Sequence, residues 1–409
     1  MEPSAELSMA PAANGRKRKC PPRPGLGDIH QDMLERVLAR LPPASFFRLR
    51  AVCRGWRAAA ASRTFLDACA RVPRRDPWFL MLSDHRPHHP VAFDAAERSW
   101  LKNACHADAA PGPAVPVAAS GGLVLYRAPA TGALSVSNPL TRASGALPPA
   151  PQPSQGQQQQ LHAIAMYGSP YRVALFTGEL LDDLSMAVFD SSKGSWETPV
   201  ALARSRPSAD APPVQDTDTV YFLSKSGDVV ATNMQRSASK QYSSVVVPSN
   251  SNDTAAVAYF LSHSGTVVAC DTAARTFAEL PRILPVHFEY SIDVVACGAA
   301  AYAVVLSEHL DTASLRVWEF AAGAWRQVAA MPPAMSHGFC GKKADINCVG
   351  HGHRLMVCVS GSSAEVSGCF MCDVRSNRWE ELPKCVDGDG EANEFLAAFS
   401  FEPRLEINV

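Results

Sequence analysis

One short pattern recurs along most of this chain: a run of small or β-branched apolar residues ends in an acid, and six positions later stands an aromatic. Val91-Ala92-Phe93-Asp94 leads to Trp100, and Ala187-Val188-Phe189-Asp190 to Trp196. Val268-Ala269-Cys270-Asp271 leads to Phe277, Val317-Trp318-Glu319 to Trp325, and Phe370-Met371-Cys372-Asp373 to Trp379. The last three are followed by Leu280-Pro281, Met331-Pro332 and Leu382-Pro383. Two degenerate copies fit between them: Leu134 to Asn138 with Leu147-Pro148, and Val229 to Asn233 with Tyr242 to Pro248. An Asp or Asn at a strand end bonds local backbone and favours a turn, so each copy predicts a β-hairpin whose returning strand opens on the aromatic.

The acid or Asn positions are 38 to 54 residues apart, the length of a four-stranded propeller blade. Seven copies predict a mainly β fold, a β-propeller of about seven blades, with six as the alternative if one degenerate copy is spurious. The first unit has three candidate strands, 78–82, 91–94 and 99–103. The closing run Phe395 to Pro403 has no hairpin after it, and is expected to supply the inner strand of the first blade and so cover an open edge. The 32 prolines and 25 glycines suit a fold of many turns.

Residues 29–66 read differently. Apolar residues at 29, 33, 34, 37, 38 and 41 draw one stripe on a helix. Pro42-Pro43 ends it. A second short helix follows, with Ser45 as a possible cap and Phe46, Phe47, Leu49 and Val52 as its apolar set. A third runs from about Cys53 to Ala61 and is anchored by Trp56. Three helices in so short a span cannot bury all of this surface among themselves. The expected organisation is a disordered basic tail over 1–25, a helical domain over 26–72 and the propeller over 78–409.

The formal net charge of −1 argues against bulk attraction to nucleic acid or anionic membrane. The N-terminus lacks the apolar stretch of a secretory signal, and the run from Val294 to Leu306 is too short to cross a bilayer. Twelve scattered cysteines then read as reduced thiols of a nuclear or cytoplasmic protein. Arg16-Lys17-Arg18-Lys19 is either a nuclear import signal or a solvated tail. The tract 157–160, four glutamines, reads as a loop between blades.

Candidate chemistry is sparse. Cys369-Phe370-Met371-Cys372 has CxxC spacing, but on a strand its thiols point to opposite faces. Cys340, Cys348, His351, His353 and Cys358 lack paired zinc-ligand spacing. No nucleophile motif, phosphate loop or paired-carboxylate site stands out. No metal, cofactor or catalytic residue is therefore assigned.

With both parts read, residues 29–66 resemble an F-box: Met33-Leu34-Glu35-Arg36-Val37-Leu38, the break Leu41-Pro42, then Arg50-Ala51-Val52-Cys53-Arg54-Gly55-Trp56 and Phe65-Leu66. The remainder resembles the propeller of plant F-box/kelch-repeat proteins, in the group that includes Hawaiian skirt and Unusual floral organs. Trp78-Phe79-Leu80-Met81, Ser120-Gly121-Gly122-Leu123-Val124 and Phe399 to Ile407 carry that likeness. The resemblance implies a non-catalytic substrate adaptor of an SCF (Skp1–cullin–F-box) ubiquitin ligase. Its F-box would bind a Skp1-like protein, and cullin through it, while the propeller holds an unidentified protein target. The residues expected at the Skp1 interface are Ile29, Leu34, Val37, Leu38, Leu41, Pro42, Leu49, Val52, Cys53 and Trp56. The family usually opens its first helix on Leu-Pro; here Ile29-His30 stand there. The competing readings are a nuclear transcription cofactor independent of SCF and, less favoured, a propeller enzyme.

Overall fold

The computed structural model describes residues 30–50, 54–59, 62–73, 75–83, 91–101, 114–151, 160–179, 183–205, 221–223, 229–231, 242–249, 255–262, 265–284, 290–309, 312–342, 344–360, 367–386 and 395–409. The tail 1–25 and residues 157–159 of the polyglutamine tract lie outside them, whereas the Gln160 carbonyl accepts the Gly178 amide at 3.0 Å. The chain divides into two compact units, Met1–Arg71 and Val72–Val409.

The second unit is a six-bladed β-propeller. Blade 1 joins Phe395–Phe401, Trp78–Ser83, Val91–Asp94 and Ser99–Leu101, from inside outward. Blade 2 follows with Val115–Ser120, Leu123–Arg127, Leu134–Ser137 and Ser144–Ala146; blade 3 with Leu161–Tyr167, Arg172–Glu179, Asp183–Asp190 and Ser195–Trp196. Blade 4 is Val245–Pro248, Ala256–Leu261, Val267–Asp271 and Thr276–Glu279. Blade 5 is Tyr290–Cys297, Ala300–His309, Thr312–Ala321 and Ala324–Ala330, and blade 6 Asp345–His351, Arg354–Ser360, Gly368–Asp373 and Arg378–Glu381. The first strand named in each blade neighbours its counterparts in the two adjoining blades, which closes the ring.

Seven blades are therefore not formed, and the alternative of six holds. The copy at Val229–Asn233 is the spurious one: among the described residues Val229–Ala231 pairs with Tyr221–Leu223 alone, in a separate two-stranded ribbon. Val245–Pro248, read as that copy's returning strand, is the inner strand of blade 4. The connection between blades 3 and 4 is about as long as a blade and contains β-branched runs, so it mimics the period; its described residues form that ribbon and two short strands, Val200–Ala201 paired in blade 3 and Ala203–Arg204 paired in blade 4.

The repeated acid is a turn residue in four of its five full copies. Asp94 Oδ1 accepts the amides of Ala96 and Glu97, Asp271 those of Ala273 and Ala274, and Asp373 those of Arg375 and Ser376; Asp190 Oδ1 accepts that of Ser192. Asn138 does the same for Leu140 and Thr141. Four residues after each lies a left-handed residue: Arg98, Arg142, Gly194, Arg275 and Asn377. This residue turns the chain into the outer strand, two positions before the aromatic in every full copy. Glu319 departs from the pattern. Its strand runs on to Ala321, the turn is Ala322-Gly323 with φ of 52° and 80°, and Glu319 instead forms an ion pair with Arg326 at 2.5 Å across the hairpin.

Phe395–Phe401 runs antiparallel to Trp78–Ser83, with Trp78 opposite Phe401, so the chain's last strand completes its first blade as expected. The tail beyond it crosses blade 2. Asn138 Nδ2 donates to the carbonyls of Arg404 and Ile407, both at 2.9 Å. Arg404 is gripped by Glu402 and Glu406 at 2.7 and 3.0 Å. The apolar core is divided among the blade junctions. Phe176 and Phe260 meet between blades 3 and 4, Phe79 and Met356 line the junction of 6 and 1, and Val304 and Leu355 that of 5 and 6. Each junction buries apolar faces of two sheets, so the ring is stabilised through contacts between neighbours.

Candidate functional site

The described residues of the first unit form four short helices: α1 Gln31–Ala39, α2 Pro43–Arg50, α3 Arg54–Ala59 and α4 Arg63–Ala70. The last was not foreseen as separate. α1 begins on His30, whose ψ of 138° is non-helical and whose Nδ1 accepts the Asp32 amide in a long contact of 3.4 Å. Pro42-Pro43 separates α1 from α2, as the sequence requires. Proline is tolerated at Pro43 because the first turn of a helix has no use for its amide.

A compact core holds these helices together. Phe46 of α2 stacks on Phe65 of α4 with ring centroids 5.0 Å apart and an interplanar angle of 17°. Leu38 and Ala39 of α1 and Cys69 of α4 are buried with them. α1 and α4 are also fastened by a polar knot. Ser62 caps α4 by accepting the Phe65 amide at 3.0 Å, and its hydroxyl donates to Glu35 Oε1 at 2.9 Å. Gln31 Nε2 donates to the same oxygen at 3.1 Å. Burial pushes the Glu35 carboxyl up, but hydrogen bonds from Thr64, Gln31 and Ser62 outweigh it and leave the group below the usual glutamate range.

This knot fixes the rotation of α1. With Glu35, Leu38 and Ala39 turned inward, Met33 and Val37 face solvent, 54% and 55% exposed. They are one turn apart on the same side. Such exposure is unusual for large aliphatic side chains standing together on a helix, and makes this face the candidate contact surface.

The structure sorts the expected interface residues into three groups. Val37 lies on the exposed face, and Leu34, Leu41, Pro42, Leu49 and Trp56 are half-buried. Leu38 is 2% exposed: it belongs to the internal core, because consecutive helix positions are about 100° apart and Val37 already occupies the outer side. Ile29, Val52 and Cys53 lie outside the described residues. Met33 was in the sequence stripe but not among the expected contacts. Its exposure becomes legible only once Glu35 is known to be buried.

In the propeller, Cys369 enters the core between blades 6 and 1 and Cys372 that between blades 5 and 6, so their thiols do lie on opposite faces. Burial pushes the Cys372 thiol up to about 12, with the neighbouring Asp373 adding to it. Among the described residues no group of three or more His, Cys, Asp or Glu is placed to hold a metal ion. No described helix is long and apolar enough to cross a membrane. Of the polar residues at the blade ends, Glu308 is engaged internally, accepting the Gly341 amide at 2.9 Å.

Residues 26–67 match the F-box domain family. The chain is similar along its length to F-box only protein 13 of Arabidopsis thaliana, with 42% identity over 401 residues, covering 94% of this chain and 86% of that protein. Protein ABERRANT PANICLE ORGANIZATION 1 of Oryza sativa subsp. indica is 27% identical over 399 residues, covering 92% and 88%. F-box only protein 6 of Arabidopsis thaliana is 23% identical over 387 residues, covering 90% and 72%.

Proposed function

The chain belongs to the plant F-box proteins, and we propose from this that it is the substrate-recognition subunit of an SCF ubiquitin ligase. The observation that carries the reading is the exposed pair Met33 and Val37 on a helical unit in which Leu38, Ala39, Phe46, Phe65 and Cys69 form a core of their own. That face is free for a Skp1-type adaptor, and the adaptor connects to cullin. A contact of this kind draws its energy from a few aliphatic and aromatic anchors surrounded by polar rim. The propeller is the platform for the target, and its ring, completed by its own last strand, is suited to hold that target rigidly while ubiquitin is delivered by the associated enzymes. The chain's own part is scaffolding, without bond-making chemistry.

The test is co-purification of the full chain with a plant Skp1-type adaptor. The parent chain is expected to retain the adaptor, and Met33→Asp or the pair Leu41→Ala and Pro42→Ala to release it. Unchanged retention by these variants, or no retention by the parent, overturns the reading. Affinity purification with and without residues 26–72 under proteasome inhibition then identifies targets, as proteins held by the propeller and stabilised by the inhibitor. Recovery of transcription regulators with neither Skp1 nor cullin would favour the nuclear cofactor instead.

A further inference from the structure

We infer that the exposed face of α1 is built to meet an acidic protein surface, and that charge steers the encounter; this rests on the adaptor reading above and specifies its partner. Met33 and Val37 stand four apart, as do Arg36 and Arg40, and each aliphatic residue lies three before an arginine, so the four share one exposed face of aliphatic and cationic side chains. Both arginines are tied down beside the aliphatic pair. Arg36 is held by Asp32 at 3.1 Å, and Arg40 Nη1 donates to the Arg36 carbonyl at 3.1 Å.

The rest of the unit repeats the bias. Arg48, Arg54, Arg57 and Arg63 are exposed on α2 to α4, whereas among the described residues the exposed acids are Asp32 and Asp67. Glu35 is buried and used internally. This is not the composition of the chain at large. Residues 26–71 hold eight Arg and Lys against four Asp and Glu, and the tail 1–25 five against two, whereas the propeller unit holds 25 of the 38 Lys and Arg but 33 of the 39 Asp and Glu. An excess of cations confined to the unit with the exposed apolar stripe calls for an anionic counterpart. One feature favours a protein over a nucleic acid: Met33 and Val37 interrupt the cationic stripe with aliphatic surface, for which a phosphate backbone has no counterpart.

The experiment measures association of the full chain with a purified plant Skp1-type adaptor by stopped-flow at 50 and 300 mM NaCl. Steered encounters lose on-rate with salt while off-rates hold. The expected result is a fall in the association rate of at least ~10-fold, with a dissociation rate nearly unchanged. The double variant Arg36→Gln, Arg40→Gln should associate several-fold more slowly at 50 mM, lose most of the salt dependence and unfold at the parent's temperature. Tight binding with the same association rate at both salts, and the same rate in the double variant, overturns the inference and leaves the adaptor reading intact. No association at either salt removes both. A single-stranded RNA oligonucleotide that binds at 150 mM NaCl and displaces the adaptor overturns the inference in favour of a polyanion.

Discussion

The indole N–H of Trp100, in the outer strand of blade 1, donates to the carbonyl of Pro383 at 2.7 Å, across the junction where the end of the chain meets its beginning. The same bond recurs at alternate junctions. Trp196 reaches back to Pro148 at 2.8 Å and Trp325 to Pro281 at 2.6 Å. In each case the carbonyl belongs to a Leu-Pro pair that leaves the preceding blade. Blade 6 makes the link differently: Asn377 Oδ1 accepts both the Trp379 indole and the amide of Ala330 in blade 5. The repeated Trp and the Leu-Pro behind it are thus two halves of a clasp between neighbours. Trp100→Phe should cost about 1 kcal/mol, by loss of that bond with most of the ring contact to Phe93 and Phe395 kept. Trp196→Phe and Trp325→Phe should cost about the same, measured as shifts in the urea midpoint at constant slope.

Blade spacing is most sensitive at Gly350, at the inner edge of blade 6. A Cβ there would overlap the carbonyl of Ala296 and the thiol of Cys297 in blade 5. Neither is the free end of a flexible side chain, so the junction must open. Gly350→Ala should destabilise the propeller by about 1–3 kcal/mol or more. Gly194→Ala is the control. Gly194 has φ +64° with open space around it, so it should show only the cost of a left-handed alanine, about 1–2 kcal/mol. Calorimetric unfolding of the two variants separates crowding from backbone strain.

The turn acids make stability depend on pH in a definite direction. The Ser192 hydroxyl hydrogen-bonded to Asp190 holds its carboxyl below the usual range against burial, helped by the Ser192 amide, Arg172 and Lys193. At Asp373 burial pushes up, but the Ser376 and Arg375 amides outweigh it, with His353 and the Ser376 hydroxyl adding to them. A carboxyl depressed on folding contributes stability that is whole above its unfolded value, about 3.9, and is lost as pH falls through the folded value. Urea midpoints should therefore hold from pH 7 to about 5 and decline below 4. Asp190→Asn should be less stable at pH 7 and decline less steeply on acidification. A parallel decline in parent and variant would show that Asp190 is not among the groups responsible.

These turns also show what can be read from sequence. Asp94, Asp190, Asp271 and Asp373 were legible because an Asx turn is local: the acid, the amides it accepts and the left-handed residue lie within five positions. Glu319 was misread because only Ala322-Gly323 reveals the shorter hairpin, and a lone glycine is a weak signal. The first choice of seven blades gave way to the alternative of six where a connection between blades 3 and 4 has blade length, since period alone cannot tell an insertion from a repeat. The pairing of Phe395–Phe401 with Trp78–Ser83 was legible by elimination, from a blade short of one strand and a strand without a hairpin.

At the start of α1 the departure from the family's Leu-Pro has a small cost that can be reversed. His30 has φ −56°, within the range proline imposes, and its carbonyl, which accepts the Met33 and Leu34 amides, would survive the change. His30→Pro removes the 3.4 Å cap contact but restricts the unfolded chain. It should stabilise α1 by about 0.4–1 kcal/mol, seen as slower amide exchange at Leu34 to Leu38 in the full chain. Faster exchange would mean that the histidine cap is worth more than its length suggests.

The neighbours Val37 and Leu38 give the sharpest test of the partner face, because the sequence groups them and the structure separates them. Val37 is 55% exposed and Leu38 is 2% exposed. Leu38→Ala leaves a cavity beside the helical core and should destabilise that unit by about 2–5 kcal/mol. Its effect on adaptor binding would follow from partial unfolding and be relieved at low temperature. Val37→Asp puts a carboxylate where solvent already reaches, so amide exchange in α1 and α4 should match the parent. It also sets a buried charge against the adaptor, and should weaken binding by at least ~10-fold at any temperature. The opposite pattern, with Val37→Asp binding normally and Leu38→Ala binding weakly at 4 °C with native exchange, would place the contact on the other side of α1.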